Sequence, residues 1–112
     1  MEKNMDYCKV TAIFRTGALE SVEQRLQELG VQGISVTSVG GYGEYTDFYS
    51  REHLTRHLQI EIFTSATRAD AIAQAIMDAA YSGAAGDGIV AVQPVCKVYR
   101  IRQRVEVGPD AL

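Results

Sequence analysis

The fold is decided by residues 57–80, which read HLQIEIFTSATRADAIAQAIMDAA. In the first seven positions Leu58, Ile60 and Ile62 alternate with the other side chains, which predicts a β-strand over His57–Phe63. Residues 66–80 then repeat apolar side chains at helical spacing, directly after two good capping residues. The apolar face of this predicted helix consists of Ala69, Ile72, Ala73, Ile76, Met77 and Ala80. A strand that leads into an alanine-rich amphipathic helix predicts a helix packed closely on a sheet.

A strand pattern followed by a helix pattern also occurs earlier in the chain, and further strand patterns follow the long helix. Residues 7–15 alternate, with an apolar set on one face, and residues 18–29 carry a helical apolar stripe that stops at Gly30. Residues 31–39 predict a second strand. After the long helix, strand patterns follow at residues 89–92, closed by Pro94, and in an extended segment over 95–102.

This order is βαββαβ in a single domain, residues 1–112. It predicts an α+β, ferredoxin-like fold with an antiparallel sheet and two helices on one face. The other face of the sheet is only moderately polar, so we expect it to be covered by self-association, as a homo-oligomer.

Composition narrows the classes of function. The 112 residues carry a formal net charge of −3 and a sequence pI of about 5.3, which argues against a nucleic-acid partner. The polar start of the chain does not resemble a signal peptide, and no apolar run is long enough to span a bilayer. Cys8 and Cys96 have no metal-binding or redox spacing and are expected to be reduced. We therefore expect a cytoplasmic protein.

A glycine-rich loop and a pair of arginines suggest an anion site. The loop Ser82-Gly-Ala-Ala-Gly-Asp-Gly88 has three glycines in seven positions between a helix and a strand. Such backbone can turn its N–H groups toward a phosphate, and Arg100 and Arg102 can supply positive charge. The alternative is a connection that uses glycine for turn geometry alone. The loop is neither a Walker loop nor a dinucleotide fingerprint, because it precedes a strand and has no Gly-Lys-Ser/Thr sequence.

Evidence for catalysis or for a bound metal is weaker. Residues 44–56 are polar and aromatic without a sustained period, as in a protruding functional loop. Within this region His53 and His57 have a spacing that suits metal ligands on a helix, but strand and loop context disfavours that geometry. A Cys96–His57 pair is conceivable, and Glu61 is the one candidate base for slow nucleotide hydrolysis. We expect a binding protein, not an enzyme, with no metal site.

The chain resembles a known family in several motifs that occur in one order. These motifs are LESV at 19–22, LGVQGISVT at 29–37, VGGYG at 39–43, QIEI at 59–62, SGAAGDG at 82–88 and VYRIR at 98–102. In this combination the chain is similar, nearly end to end, to the PII signalling proteins. The resemblance implies a homotrimer that binds adenine nucleotides in the clefts between subunits.

The resemblance also implies roles for particular residues. Ser35 stands where the family has a threonine that contacts adenine, and Glu61 matches a glutamate at the floor of the site. Gly41, Tyr42 and Gly43 would form the base of the mobile T-loop (residues 44–57), and Gly86, Asp87 and Gly88 would wrap the phosphates within the B-loop (residues 82–89). Arg100 and Arg102 would reach the phosphates from a neighbouring subunit, and residues 103–112 would form the C-terminal tail. The implied nucleotide-binding residues are Ile13, Ser35, Gly41, Tyr42, Gly43, Glu61, Ile62, Phe63, Gly86, Asp87, Gly88, Arg100 and Arg102. The implied effector residues of the T-loop are Glu44, Tyr45, Tyr49 and Arg51.

Departures from the family pattern shape the expected ligand. Ile89 replaces the lysine that holds outer phosphates, so we expect ADP or AMP to be favoured over ATP by about 1–3 kcal/mol. Tyr45 replaces the glutamine that helps to hold 2-oxoglutarate, and the T-loop is shorter than usual. The text around Tyr42–Tyr45 and Asp47–Tyr49 is similar to carboxysome-associated, carbon-linked members that respond to ADP or AMP with bicarbonate. The tail lacks the cysteine-rich motif of the branch that accompanies a sodium–bicarbonate transporter.

The resulting expectation is a regulatory trimer. It would bind ADP or AMP, with ATP as a further candidate, and would sense energy state and inorganic carbon as bicarbonate. Through its short T-loop it would regulate a membrane transporter or another target of carbon metabolism. The alternatives are a nitrogen-regulatory PII protein that senses ATP and 2-oxoglutarate, and a metal-binding trimer like the CutA proteins of this fold.

Overall fold

The computed structural model describes residues 6–41 and 55–108, which form two helices, a four-stranded sheet and a small two-stranded hairpin. The elements are β1 (Tyr7–Arg15), α1 (Leu19–Glu28), β2 (Ser35–Gly41), β3 (Thr55–Ser65), α2 (Ala66–Ala80), β4 (Gly88–Val95), β5 (Tyr99–Arg100) and β6 (Val105–Glu106), with a 3₁₀ turn at Thr16–Ala18 between β1 and α1.

The main sheet has the strand order β2-β3-β1-β4, and all its pairings are antiparallel. Strand β1 lies at the centre, so that Val10 stands between Ile62 of β3 and Val92 of β4. This order and the two helices confirm the predicted ferredoxin-like fold. The predicted bounds of β1 and α2 also agree with the structure.

One hydrophobic core joins the two helices to one face of the sheet. Alternate residues of β1 and β3 are buried together with residues of both helices, as the alternation and the helical spacing predict. Burial of each large aliphatic side chain contributes about 1.5–3 kcal/mol. The buried cluster consists of Val10, Ala12, Phe14, Val22, Leu26, Ile60, Ile62, Ala69, Ile72 and Ile76.

Two predicted strand boundaries are wrong. Strand β2 begins at Ser35 and not at Val31, because α1 ends in a Schellman motif in which Val31 donates a 3.0 Å bond to the Leu26 carbonyl. Strand β4 continues through Pro94 to Val95 and does not close before it. Proline is tolerated here because, among the described strands, β4 lies at the edge of the sheet and pairs with β1 alone.

The extended segment predicted over residues 95–102 is also wrong. Val95 still belongs to β4, and Tyr99–Arg100 pairs with Val105–Glu106 in a small separate hairpin. Residues 101–104 form the turn, which Arg104 closes with φ 60 and a 2.8 Å bond from its N–H to the Arg100 carbonyl. The alternation of residues 98–102 suggests one longer strand. In the structure the strand stops at Arg100, because the chain turns back at residues 101–104.

The face of the sheet opposite the helices remains open in a single chain. Along β3 and β4 this face includes Phe63 and Ile89, which are 48% and 44% exposed. Exposed apolar residues of this size on a sheet face favour contact with another protein surface. Within the described residues, neither helix combines the length and the hydropathy that a membrane crossing requires.

The close contact between Gly88 and β1 provides a test of the fold. Gly88 has φ +111, and a Cβ atom at this position would stand 1.8 Å from the Ile13 carbonyl oxygen. We expect Gly88→Ala to lower the free energy of unfolding by about 2–4 kcal/mol, because both backbone strain and a clash with main chain are introduced. Urea denaturation at a fixed protein concentration measures this loss.

The matched control is Gly17→Ala, since no atom lies within 4 Å of a Cβ added at Gly17. Its free energy of unfolding should change by less than about 1 kcal/mol. Equal losses in the two variants would contradict the proposed clash.

Candidate functional site

A groove of about 630 Å³ lies beside β2 and β3 and contains several of the predicted site residues. Its walls come from the segment that joins α1 to β2, from the end of β3, from the first turn of α2 and from the C-terminal hairpin. The lining residues are Gly30, Val31, Gln32, Gly33, Ile34, Ser35, Glu61, Ile62, Phe63, Thr64, Arg68 and Arg100.

Antiparallel pairing places the polar groups of this groove. Ser35 lies directly opposite Glu61 in the β2–β3 register, so a hydroxyl and a carboxylate share one row of the sheet. The Glu61 carboxylate lies 3.2 Å from the Lys9 ammonium on the neighbouring strand. Both side chains are about one-third exposed, so this ion pair contributes at most about 1 kcal/mol. Its main effect is to hold Glu61 in place beside Ser35.

Two arginines give the groove positive charge. Arg68, in the first turn of α2, donates to the Leu29 carbonyl at the end of α1 and thereby joins the two helices. Arg100 reaches the groove from β5. A guanidinium group offers several donors in one plane, which suits carboxylate and phosphate oxygens. The groove can therefore accept an anionic ligand that also has an apolar or aromatic part.

The glycine-rich loop is the second candidate region, and Asp87 organises it from within. The Asp87 carboxylate accepts 2.8 Å bonds from the backbone N–H groups of Ser82 and Gly83 and a further bond from the Ser82 hydroxyl. The Arg15 guanidinium lies 3.5 Å from the same carboxylate. Asp87 thus closes the loop on itself, so that its side chain is already engaged before any ligand binds.

These contacts also change the acidity of Asp87. Partial burial by itself raises the pKa of this carboxyl group, but the bonds from Ser82, Gly83 and Arg15 outweigh burial and hold the pKa below its usual range. The hydrogen bonds that Ser82 and Gly83 donate to Asp87 are therefore strongest when the carboxylate is ionised.

Two further side chains fix the loop to the sheet. Arg15, the last residue of β1, donates to the Ala85 carbonyl. The His57 Nε2 atom lies 3.0 Å from the Gly86 carbonyl oxygen, and the imidazole is buried with 1% exposure. Because a carbonyl oxygen only accepts, the ring carries its proton on Nε2 in this contact. The sequence suggests a metal ligand or a partner of Cys96 at position 57, and the contact of His57 with the loop was not predicted.

The predicted nucleotide-binding residues fall into two groups within one chain. Ser35, Glu61, Ile62, Phe63 and Arg100 line the groove. Ile13, Asp87 and Gly88 line a second, smaller hollow of about 360 Å³ beside the loop, and Gly86 belongs to the same loop. None of the residues that line the groove together with Arg100 belongs to the loop.

Arg102, which the structure describes, lies in neither region, and other predicted residues fall outside the described part of the chain. Arg102 is exposed in the turn of the C-terminal hairpin and does not line the groove. The structure describes Gly41 only as the last residue of β2, without its surroundings. The predicted residues outside the described part of the chain are Tyr42, Gly43, Glu44, Tyr45, Tyr49, Arg51 and His53. In the described part of the chain, no group of three or more His, Cys, Asp or Glu side chains could hold a metal ion.

Comparison with known proteins agrees with the arrangement of these elements. The family model described as "Nitrogen regulatory protein P-II" matches residues 7–105. A nitrogen regulatory protein P-II of Rhizobium meliloti (strain 1021) is 37% identical over 111 residues, which cover 93% of this chain and 98% of the relative. The same comparison with the Azospirillum brasilense protein of this name gives 35% identity, again over 93% and 98% of the two chains.

This chain belongs to the PII family. A solved structure with the same architecture, Arabidopsis thaliana PII bound to citrate, has a TM-score of 0.83 at 28% identity and covers 97% of this chain and 94% of the plant chain. PII proteins are trimeric regulators that bind adenine nucleotides as effectors, and they are not enzymes. The resemblance recognised in the sequence is therefore confirmed at the level of the family.

The Asp87 contacts predict how this PII protein responds to acid. Because the pKa of Asp87 is lowered on folding, the contribution of this carboxylate to stability is present above the pKa of the unfolded chain, about 4. It is lost as the pH falls through the lower pKa of the folded state. Asp87→Asn should therefore reduce stability at pH 7 and flatten the loss of stability between about pH 5 and pH 2.

Urea unfolding at a series of pH values measures this dependence. Asp70→Asn is the matched control, because Asp70 is exposed on α2 and lies away from the loop. A pH profile of Asp87→Asn that is parallel to that of the wild-type protein over the whole acid range would show that the loop contacts do not depend on this charge.

Proposed function

We propose that this PII protein binds an adenine nucleotide between subunits of a homotrimer. The base would occupy the groove that contains Ser35, Glu61 and Phe63, and the phosphates would lie between Arg100 of that subunit and the loop Gly86–Gly88 of a neighbouring subunit. The observation that carries this proposal is the separation of the two groups of site residues within one chain, since each group is half of a cleft.

The open sheet face supports the same assembly. Phe63 and Ile89 are large and exposed on the face opposite the helices, and each adjoins one half of the proposed site. If a neighbouring subunit covers this face, apolar burial drives association and the two halves of the cleft are brought together by the same contact.

The anchored loop supports phosphate binding. Its backbone is held by Asp87, Arg15 and His57 before a ligand arrives, so little conformational entropy remains to be lost when phosphate oxygens bind. No lysine follows Gly88, because the next residue is Ile89. We infer that ADP or AMP is preferred to ATP, since the additional phosphate would have no cation supplied by this position.

The finer role that we propose is carbon-linked. The nucleotide would act together with bicarbonate and would alter the segment that begins at Tyr42, through which a transporter or another regulatory target is contacted. The support comes from two residues that depart from the family pattern, Ile89 in place of lysine and Tyr45 in place of glutamine. The relatives are named nitrogen regulatory proteins, which favours a nitrogen-regulatory role as the second candidate. In that role we would expect the protein to sense ATP and 2-oxoglutarate.

The first test removes the arginine of the groove. We expect Arg100→Ala to weaken ADP binding by about 10- to 100-fold, because a charge-assisted hydrogen bond to phosphate contributes about 1.5–3 kcal/mol. Isothermal titration calorimetry measures the affinity, and light scattering checks that the variant remains a trimer. Arg25→Ala is the control, since Arg25 lies on the outer face of α1 and pairs with Glu28. ADP affinity that is equal in both variants would remove Arg100 from the site.

The second test concerns the number of phosphates. Ile89→Lys should raise the affinity for ATP relative to ADP by about tenfold, because a cation is introduced at the end of the loop. Ile89→Leu is the matched control and should leave the ratio of the two affinities unchanged. If Ile89→Lys changes the affinities for ATP and ADP by the same factor, position 89 does not select the number of phosphates.

The third test separates the two candidate effectors. Titrations of the wild-type protein with AMP, ADP and ATP are repeated in the presence of bicarbonate and of 2-oxoglutarate. Linkage is reciprocal, so an effector whose affinity is raised by the bound nucleotide must raise the affinity for the nucleotide by the same factor. We expect bicarbonate to do so with ADP or AMP. A response to 2-oxoglutarate with ATP, and none to bicarbonate, would identify a nitrogen sensor instead.

A further inference from the structure

The side chains of Arg15 and His57 form a pair that is not among the residues for which the resemblance implies nucleotide binding. Strands β1 and β3 place these two residues directly opposite each other in the antiparallel register. Each reaches out of the sheet to the same loop, Arg15 to the carbonyl of Ala85 and His57 to the carbonyl of Gly86. Two consecutive carbonyl groups of the loop are therefore held by two side chains from one row of the sheet.

The planarity of the peptide group gives this contact a consequence. In a trans peptide the C=O and the following N–H point in opposite directions. When the carbonyls of Ala85 and Gly86 are turned toward the sheet, the N–H groups of Gly86 and Asp87 are turned away from Arg15 and His57. Successive N–H groups directed to one side form a concave donor site for an anion.

Burial makes the histidine the more restrictive of the two supports. His57 is 1% exposed, whereas the Arg15 side chain is 36% exposed. A buried imidazole has few alternative positions, so the direction of its Nε2–H bond is set by the sheet and not by solvent. Arg15 adds its ion pair with Asp87, so that the loop is held at three successive residues, Ala85, Gly86 and Asp87.

We propose that His57, with Arg15, is a positioning residue that directs the N–H groups of Gly86 and Asp87 toward the phosphates of the bound nucleotide. This inference rests on the proposed nucleotide site. Neither side chain contacts the ligand in this arrangement. Their effect is exerted through the loop backbone, and it is therefore specific to the phosphate part of the ligand.

The experiment compares two amide variants of His57. Glutamine places its side-chain nitrogen near the position of Nε2, whereas asparagine places its nitrogen near that of Nδ1, so only His57→Gln keeps a donor within reach of the Gly86 carbonyl. Calorimetry with adenosine and with ADP separates binding of the base from binding of the phosphates. We expect His57→Asn to weaken ADP by about tenfold and adenosine by less than twofold, and His57→Gln to restore ADP affinity to within about threefold of wild type.

Hydrogen exchange supplies a readout that does not depend on a ligand. In His57→Asn, amide exchange should accelerate within residues 81–88 while the core of β1 and α2 remains protected. Arg15→Met and Arg15→Lys repeat the comparison at a partly exposed side chain where misfolding is a smaller concern. Arg15→Met should weaken ADP selectively, and Arg15→Lys should weaken it less.

The outcomes distinguish this inference from the proposed function. If the wild-type protein binds neither adenosine nor ADP, the nucleotide site and the inference are both overturned. If the wild-type protein binds ADP but His57→Asn and Arg15→Met bind it equally tightly, only the inference is overturned. Equal weakening by His57→Asn and His57→Gln, or parallel losses for adenosine and ADP, would mean that His57 supports the fold and not the direction of the loop.

Discussion

The hydrogen-bond register of β1 with its two neighbours determines where the candidate site residues of β1, β3 and β4 lie. Because β1 is paired on both sides, a shift of one residue would move Val10, Ala12 and Phe14 out of the core and is strongly disfavoured. The same register sets His57 opposite Arg15 and brings Gly88 against Phe14. Packing on one face of the sheet thus fixes the polar geometry on the other face.

The parts of the fold that repeat a simple period were predictable from the sequence. Strand β1 and helix α2 have long regular patterns, and the structure has both at the predicted residues. The errors occurred where local hydrogen bonding or strand position overrides the pattern. A helix cap delays β2, and an edge position lets β4 include Pro94. The C-terminal hairpin depends on Arg104 with φ 60, a conformation that no periodicity reveals.

The site was predictable from residue type and motif, but its internal support was not. Glycine spacing and basic residues indicated the loop and Arg100, and the groove contains Ser35, Glu61 and Phe63 as the resemblance implied. The contacts of Arg15 and His57 with the loop span 70 and 29 positions of sequence, so only the tertiary fold brings these residues together. The sequence offers one indication of these contacts, the alternation that places Arg15 and His57 on the face of the sheet opposite the helices.

The edge position of Pro94 has a consequence for how copies of this chain can associate. An outer strand offers unpaired N–H and C=O groups that another β-strand could extend, which is a common route to aggregation. Proline has no N–H group to offer, so the ladder that a foreign strand could form along β4 is interrupted near its end. Edge-to-edge pairing along β4 is thereby disfavoured near Pro94, whereas the exposed face of the sheet keeps all of its side chains available for contact.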